Sequence, residues 1–141
     1  MSYISYQTMQ KLLSVGFSFP DYEHFLNLGM IYYHEGDEYF IGGACGSVYS
    51  DMDRHIALNG CWLPCEEQLL EWLTRVEFDV SIYRDSETRL FRVHSTDSCT
   101  NHEYSAGGIT LADALAKMIY KICKSSIRTY IPYSIERLEI G

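Results

Sequence analysis

Apolar positions along the chain change period several times, and each change marks an element. Tyr6, Met9, Leu12 and Leu13 recur at helical spacing over Tyr6 to Val15, and Gly16 stands where a C-terminal cap belongs, which predicts a short first helix. Pro20 disfavours helical geometry at Phe19, so the chain turns there before the aromatic cluster Tyr22 to Phe25. Leu28 to Tyr33 and Glu38 to Ile41 read as two strands of a hairpin, joined through His34-Glu35-Gly36-Asp37.

The block from Cys61 to Lys124 is the best organised stretch. Cys61-Trp62-Leu63-Pro64-Cys65 leads into a helix, with Pro64 suited to its first position and Glu66 and Glu67 placing negative charge at its N-terminus. Leu69, Trp72, Leu73 and Val76 form one apolar stripe on that helix. Phe78, Val80 and Ile82 then alternate with Asp79, Ser81 and Tyr83, the period of a half-buried strand. Asp85-Ser86-Glu87 makes a turn, Arg89 to His94 a second strand, and Glu103 to Ala106 a third. Gly107-Gly108 breaks the chain, and Thr110 caps a closing helix whose Leu111, Leu115, Met118, Ile119 and Ile122 share a face. The expected fold is therefore α+β in a single domain over residues 1–141. A short N-terminal helix and hairpin precede a helix-strands-helix unit with an antiparallel sheet, and a tail at 129–141 follows.

Charge adds a direction. The net charge of −8 disfavours nucleic acid as a partner, because that binding depends on Lys and Arg displacing counterions from phosphates. The acids gather early: Asp21, Glu23, Glu35, Asp37, Glu38, Asp51 and Asp53 face only Lys11 and Arg54 in the first sixty residues. The closing helix instead carries Lys117, Lys121, Lys124 and Arg128 at spacings of four, three and four, a basic stripe beside its apolar face. Two candidate surfaces follow. One is acidic and aromatic, for a protein partner: Tyr32, Tyr33, Glu35, Asp37, Glu38 and Tyr39. The other is basic, for a small anionic ligand: Arg84, Arg89 and Arg92 with Lys117, Lys121, Lys124 and Arg128. Tyrosine supports the first, since interfaces are enriched in it and the chain holds twelve. Arg89 and Arg92 beside the basic helix also sketch a small nucleic-acid-binding module, which the overall charge opposes.

Motifs for catalysis or cofactors are thin. Gly42-Gly43-Ala44-Cys45-Gly46 lacks the lysine and hydroxyl of a phosphate loop. Cys45, His55, Cys61 and Cys65 lack the paired spacing of a structural zinc site, and Asp51 and Asp53 are too few for a calcium loop. Cys65 at a helix start is the one candidate nucleophile, with Glu66 and Glu67 opposing its thiolate and no base identified among the histidines. The reading is a non-enzymatic protein with no metal and no cofactor. Five irregularly spaced cysteines point to reduced thiols, and no run has the length of a membrane span or the order of a signal peptide, so the expected compartment is a cytoplasm.

Lys11-Leu12-Leu13-Ser14-Val15-Gly16-Phe17, the Cys61-Trp62-Leu63-Pro64 lead-in, Leu69-Leu70-Glu71-Trp72-Leu73 and Leu111-Ala112-Asp113-Ala114-Leu115 together resemble small uncharacterised accessory proteins encoded by bacteriophages and prophages. In those, a W-x-P-T-like helix start precedes a tryptophan helix, two or three strands and a closing Ala/Leu helix; here Cys65 stands in place of the threonine. The resemblance implies an accessory protein acting in the host cytoplasm, one that binds and inhibits or sequesters a host component such as part of a defence system. The alternative is an oligomeric binder of a small anionic, nucleotide-like ligand.

Overall fold

The structure, a computed structural model, describes residues 2–17, 31–36, 38–42 and 60–125, with the backbone alone at 31–33 and 39–42. It is an α+β fold of three helices and two three-stranded antiparallel sheets among these residues. The elements are α1 (Tyr6–Ser14), β1 (Ile31–Glu35), β2 (Glu38–Gly42), β3 (Gly60–Leu63), α2 (Glu66–Arg75), β4 (Phe78–Arg84), β5 (Phe91–Asp97), β6 (Glu103–Gly108) and α3 (Leu111–Ser125).

Each helix ends as its local chemistry dictates. Ser5 caps α1 by accepting from the Thr8 amide at 3.1 Å. At the other end the Phe17 and Gly16 amides donate back to the Leu12 and Leu13 carbonyls, a Schellman closure with Gly16 at φ +89° and Phe17 buried beside Leu12. The α2 helix begins two residues later than expected, at Glu66: Cys65 is its N-cap, and Pro64 lies before the cap rather than inside the first turn. The buried Gln68 side chain reaches back to accept from the Cys65 amide at 3.0 Å. In α3 the Thr110 hydroxyl accepts from the Asp113 amide at 3.0 Å, the cap expected for it.

Four strand assignments change. Cys61-Trp62-Leu63 is not a helix lead-in but β3, which pairs antiparallel with β1 through Cys61 opposite His34 and Trp62 opposite Tyr33. His34 and Glu35 belong to β1, where Glu35 stands opposite Glu38. Gly107 and Gly108 do not break the chain; they complete β6 opposite Arg92 and Phe91. The second strand of the block starts at Phe91 rather than Arg89, because Arg89 takes a left-handed φ of +61° in the turn, and it runs on to Asp97.

The core is one cluster. On one face α3 buries Leu115, Met118, Ile119 and Ile122, with Ala112, Ala114 and Ala116 also enclosed. Against it lie the β4–β5–β6 sheet, Leu69, Trp72 and Leu73 of α2, and Met9 and Leu12 of α1. Phe17 meets Trp72 with ring centroids 5.1 Å apart. The β1–β2–β3 sheet joins this body through α1: Tyr6 stacks on His34 at 4.0 Å, and the Gln10 amide donates to the Cys61 sulfur at 3.6 Å. The N-terminal segment binds two helix starts. Ser2 donates from N and Oγ to the Glu66 carboxylate at 2.7 and 2.8 Å, while its Oγ accepts from the Ala112 amide at 3.4 Å.

Close approach of β6 to α3 leaves no room at Gly108. A Cβ there would lie 2.7 Å from the Ala114 backbone nitrogen and 2.8 Å from the Asp113 carboxylate. Gly108→Ala must push strand from helix, and is expected to cost about 1–3 kcal/mol in urea unfolding, the usual range for overpacking.

Candidate anion-binding groove

Burying one face of α3 turns Asp113, Lys117, Tyr120, Lys121 and Lys124 outward. These residues floor a groove of about 740 Å³, walled on one side by α1 through Lys11 and on the other by Ala106 and Gly107 of β6. Among the described residues four lysines thus face one carboxylate. Lys117 pairs with Asp113 at 3.2 Å, with side chains 54% and 35% exposed, so this i,i+4 pair is solvated and weak. Lys124 lies over the Tyr120 ring at 5.6 Å, and Lys121 donates to the Ser105 carbonyl at 2.7 Å on the β6 edge.

A second cleft of about 510 Å³ opens on the outer face of the sheet and shares Lys121, Ala106 and Gly107 with the groove. Its chemistry comes from Tyr83, Arg92 and His94. Cross-strand register sets Tyr83 opposite Arg92 and Arg92 opposite Gly107. Arg92 lies directly over that glycine: a Cβ on Gly107 would sit 2.7 Å from its Nη1.

The basic set expected from sequence therefore divides. Arg92, Lys117, Lys121 and Lys124 come together around the two joined clefts. Arg84 and Arg89 do not; they line a separate hollow at the β4–β5 hairpin tip with Asp85 and Ser86. There Arg84 covers the Phe91 ring at 5.2 Å and donates to the Arg89 carbonyl at 3.3 Å. Period-two alternation put Arg92 on the sheet's outer face, but the turn at Asp85 to Leu90 carries Arg89 away from it. Lys11, Tyr83 and Tyr120 complete the clefts and were not expected there. Lys11 arrives only because α1 docks on α3, whereas the alternation that paired Tyr83 with Asp79 and Ser81 was a usable signal.

For the acidic surface, the register aligns Tyr32 with Ile41, Tyr33 with Phe40, and His34 with Tyr39. Glu35 is half-buried and Glu38 exposed. Asp37 and Arg128 lie outside the described residues, as do Cys45, Asp51, Asp53, His55, the cluster Tyr22 to Phe25, the span from Leu28 to Met30, the glycine run after Gly42 and the tail 129–141.

Burial raises three of the thiols. Cys65 is fully buried, and burial pushes its thiol up; amides of Gln68 and Glu67 draw it down and Glu66 and Glu67 oppose them. Burial likewise raises Cys61, and takes Cys123 to about 11. Among the described residues no three His, Cys, Asp or Glu side chains gather as for a metal ion. No helix there is long and apolar enough to cross a membrane.

Two predictions follow from this geometry. Because the folded chain holds Cys123 as a thiol, the stability it gains is complete below the thiol's ordinary value near 9.0 and is lost as pH rises through about 11. Urea midpoints should fall over that window, and fall less in Cys123→Ala. At Gly107 the obstacle is a flexible side chain, so Gly107→Ala should leave the urea midpoint close to wild type, in contrast to Gly108→Ala. Comparison with known protein families, with curated proteins and with solved structures returns no match.

Proposed function

We propose that this chain is a binding protein that captures a small polyanion in the groove over α3. The observation that carries this reading is the convergence of Lys11, Lys117, Lys121 and Lys124 on one concavity where, among the described residues, Asp113 is the one carboxylate. Like charges gathered this way repel one another, and an anion that enters relieves the repulsion while replacing water at each ammonium. Lysine suits such a role as a compact charge on a flexible stem, adaptable to phosphate or carboxylate oxygens. Taken with the resemblance to phage-encoded proteins, capture would deprive a host system of an anionic small molecule in the host cytoplasm.

Isothermal titration with inorganic pyrophosphate tests this. Wild type should bind, with affinity falling as salt rises. The double variant Lys117→Glu, Lys124→Glu should lose at least about tenfold, near 1.4 kcal/mol. Absence of heat with wild type at low salt would sink the reading.

A second reading rests on the hairpin. Glu35 and Glu38 stand directly opposite each other beside the Gly36 turn, which places two carboxylates on neighbouring strands. A basic surface on a host protein would meet both, with Tyr32, Tyr33 and Tyr39 on the same hairpin. If so, Glu35→Gln with Glu38→Gln should abolish co-purification of that partner from host lysate; retained co-purification would count against it.

A further inference from the structure

We propose that Arg92 and Lys121 seat the phosphate of a nucleotide whose base stacks on Tyr83, so that the cleft and the groove form one nucleotide site; this rests on the anion-capture reading above. Two cations are brought to the same strand edge by independent devices. Arg92 crosses β6 because residue 107 is glycine: its Nη1 and Cζ would lie 2.7 and 3.3 Å from any Cβ there. Lys121 comes from the other side, off α3, and anchors on the Ser105 carbonyl, two residues before Gly107. Neither cation takes part in an ion pair among the described residues, where the pairs are Arg75–Glu71, His94–Glu103 and Lys117–Asp113. Asp85 senses Arg92 only after the Glu87 and Thr88 amides that chiefly hold its carboxyl low.

The ligand class follows from what stands next to these charges. Tyr83 is 60% exposed, one of few large apolar side chains so open, and it is the direct cross-strand neighbour of Arg92. Directly opposed side chains in an antiparallel pair have Cβ atoms about 5 Å apart. A ring lying on Tyr83 would therefore hold a phosphate linked to it within reach of the Arg92 guanidinium. Tyrosine beside arginine on an open sheet face is a general means of holding a base by stacking and a phosphate by charge. His94, on the same face and half-exposed, borders this cleft. Beyond Lys121 the site passes into the groove, where Lys117 and Lys124 stand ready for further phosphates. A polyanion without a ring would use the groove and leave Tyr83 idle. A mononucleotide with two or more phosphates fills both.

Titrations of wild type, Tyr83→Ala, Tyr83→Phe and Arg92→Gln with ADP and with pyrophosphate decide the matter. ADP should bind wild type about tenfold tighter than pyrophosphate, within the range that base–aromatic stacking provides. Tyr83→Ala should erase that advantage and leave pyrophosphate unchanged, Tyr83→Phe should keep it, and Arg92→Gln should weaken ADP. Tyr83 is exposed, so its variants should match wild type in thermal unfolding. Equal binding of ADP and pyrophosphate by wild type, or an unchanged ADP affinity in Tyr83→Ala, overturns the nucleotide site and leaves the groove standing. Failure of both ligands overturns both. Binding of single-stranded dT oligomers tighter than ADP, with a steep salt dependence, overturns it in favour of nucleic acid.

Discussion

Everything in the described structure depends on burying one face of α3. Leu115, Met118, Ile119 and Ile122 are fully enclosed, and they are enclosed by three different partners: the β4–β6 sheet, α2 and α1. Each such side chain contributes roughly 1.5–3 kcal/mol by leaving water. What makes the close approach feasible is smallness rather than greasiness. Ala112, Ala114 and Ala116 on the helix and Gly108 on β6 let backbones meet where larger residues would hold them apart. The N-terminal segment reinforces the arrangement at the polar end, with Ser2 hydrogen-bonded at the starts of both α2 and α3.

That same burial creates the candidate surface. A helix committed on one side to a core must send its remaining positions outward, and in α3 these are Asp113, Lys117, Tyr120, Lys121 and Lys124. Docking of α1 then adds a wall and a fourth lysine, while β6 supplies the opposite wall through Ala106 and Gly107. The consecutive glycines have separate duties. Gly108 faces the helix backbone and serves packing; Gly107 faces the other way and lets Arg92 cross the strand. Two neighbouring residues of one strand thus divide between stability and recognition, as the alternation of a β-strand allows.

Much of this was legible from the sequence where a long periodic signal existed. Both helices flanking the second sheet, the caps at Gly16 and Thr110, and the alternation starting at Phe78 follow directly from spacing. Failures came where a short apolar run had two meanings. Cys61-Trp62-Leu63 before Pro64 reads as a helix lead-in only because its strand partner, β1, lies far away in sequence. Gly107-Gly108 reads as a break because glycine is depleted in strands, yet here each glycine answers a close contact that sequence does not display. Ile82 continues the alternating pattern but is 41% exposed, since burial along β4 ends after Val80. The basic set was half right for a related reason. Helical spacing grouped the lysines correctly, whereas a turn of left-handed φ took Arg89 away from Arg92, and strand alternation set Arg84, opposite Phe91, apart from it.

The charge pattern is the strongest argument that the groove is built for an anion. A chain of net charge −8 holds nineteen acids against eleven bases, so an arbitrarily placed lysine should find a carboxylate near it. Among the described residues around α3 the opposite holds: Lys121 bonds a neutral carbonyl, Lys124 an aromatic ring, and Arg92 lies over a glycine, with Asp113 the one acid among the described residues lining the groove. Exposed lysines screened by salt repel one another only weakly, so folding tolerates the cluster at small cost. A ligand with several negative oxygens would meet all of these charges at once, and its attraction to each, added to the small repulsion it relieves, would supply the binding energy.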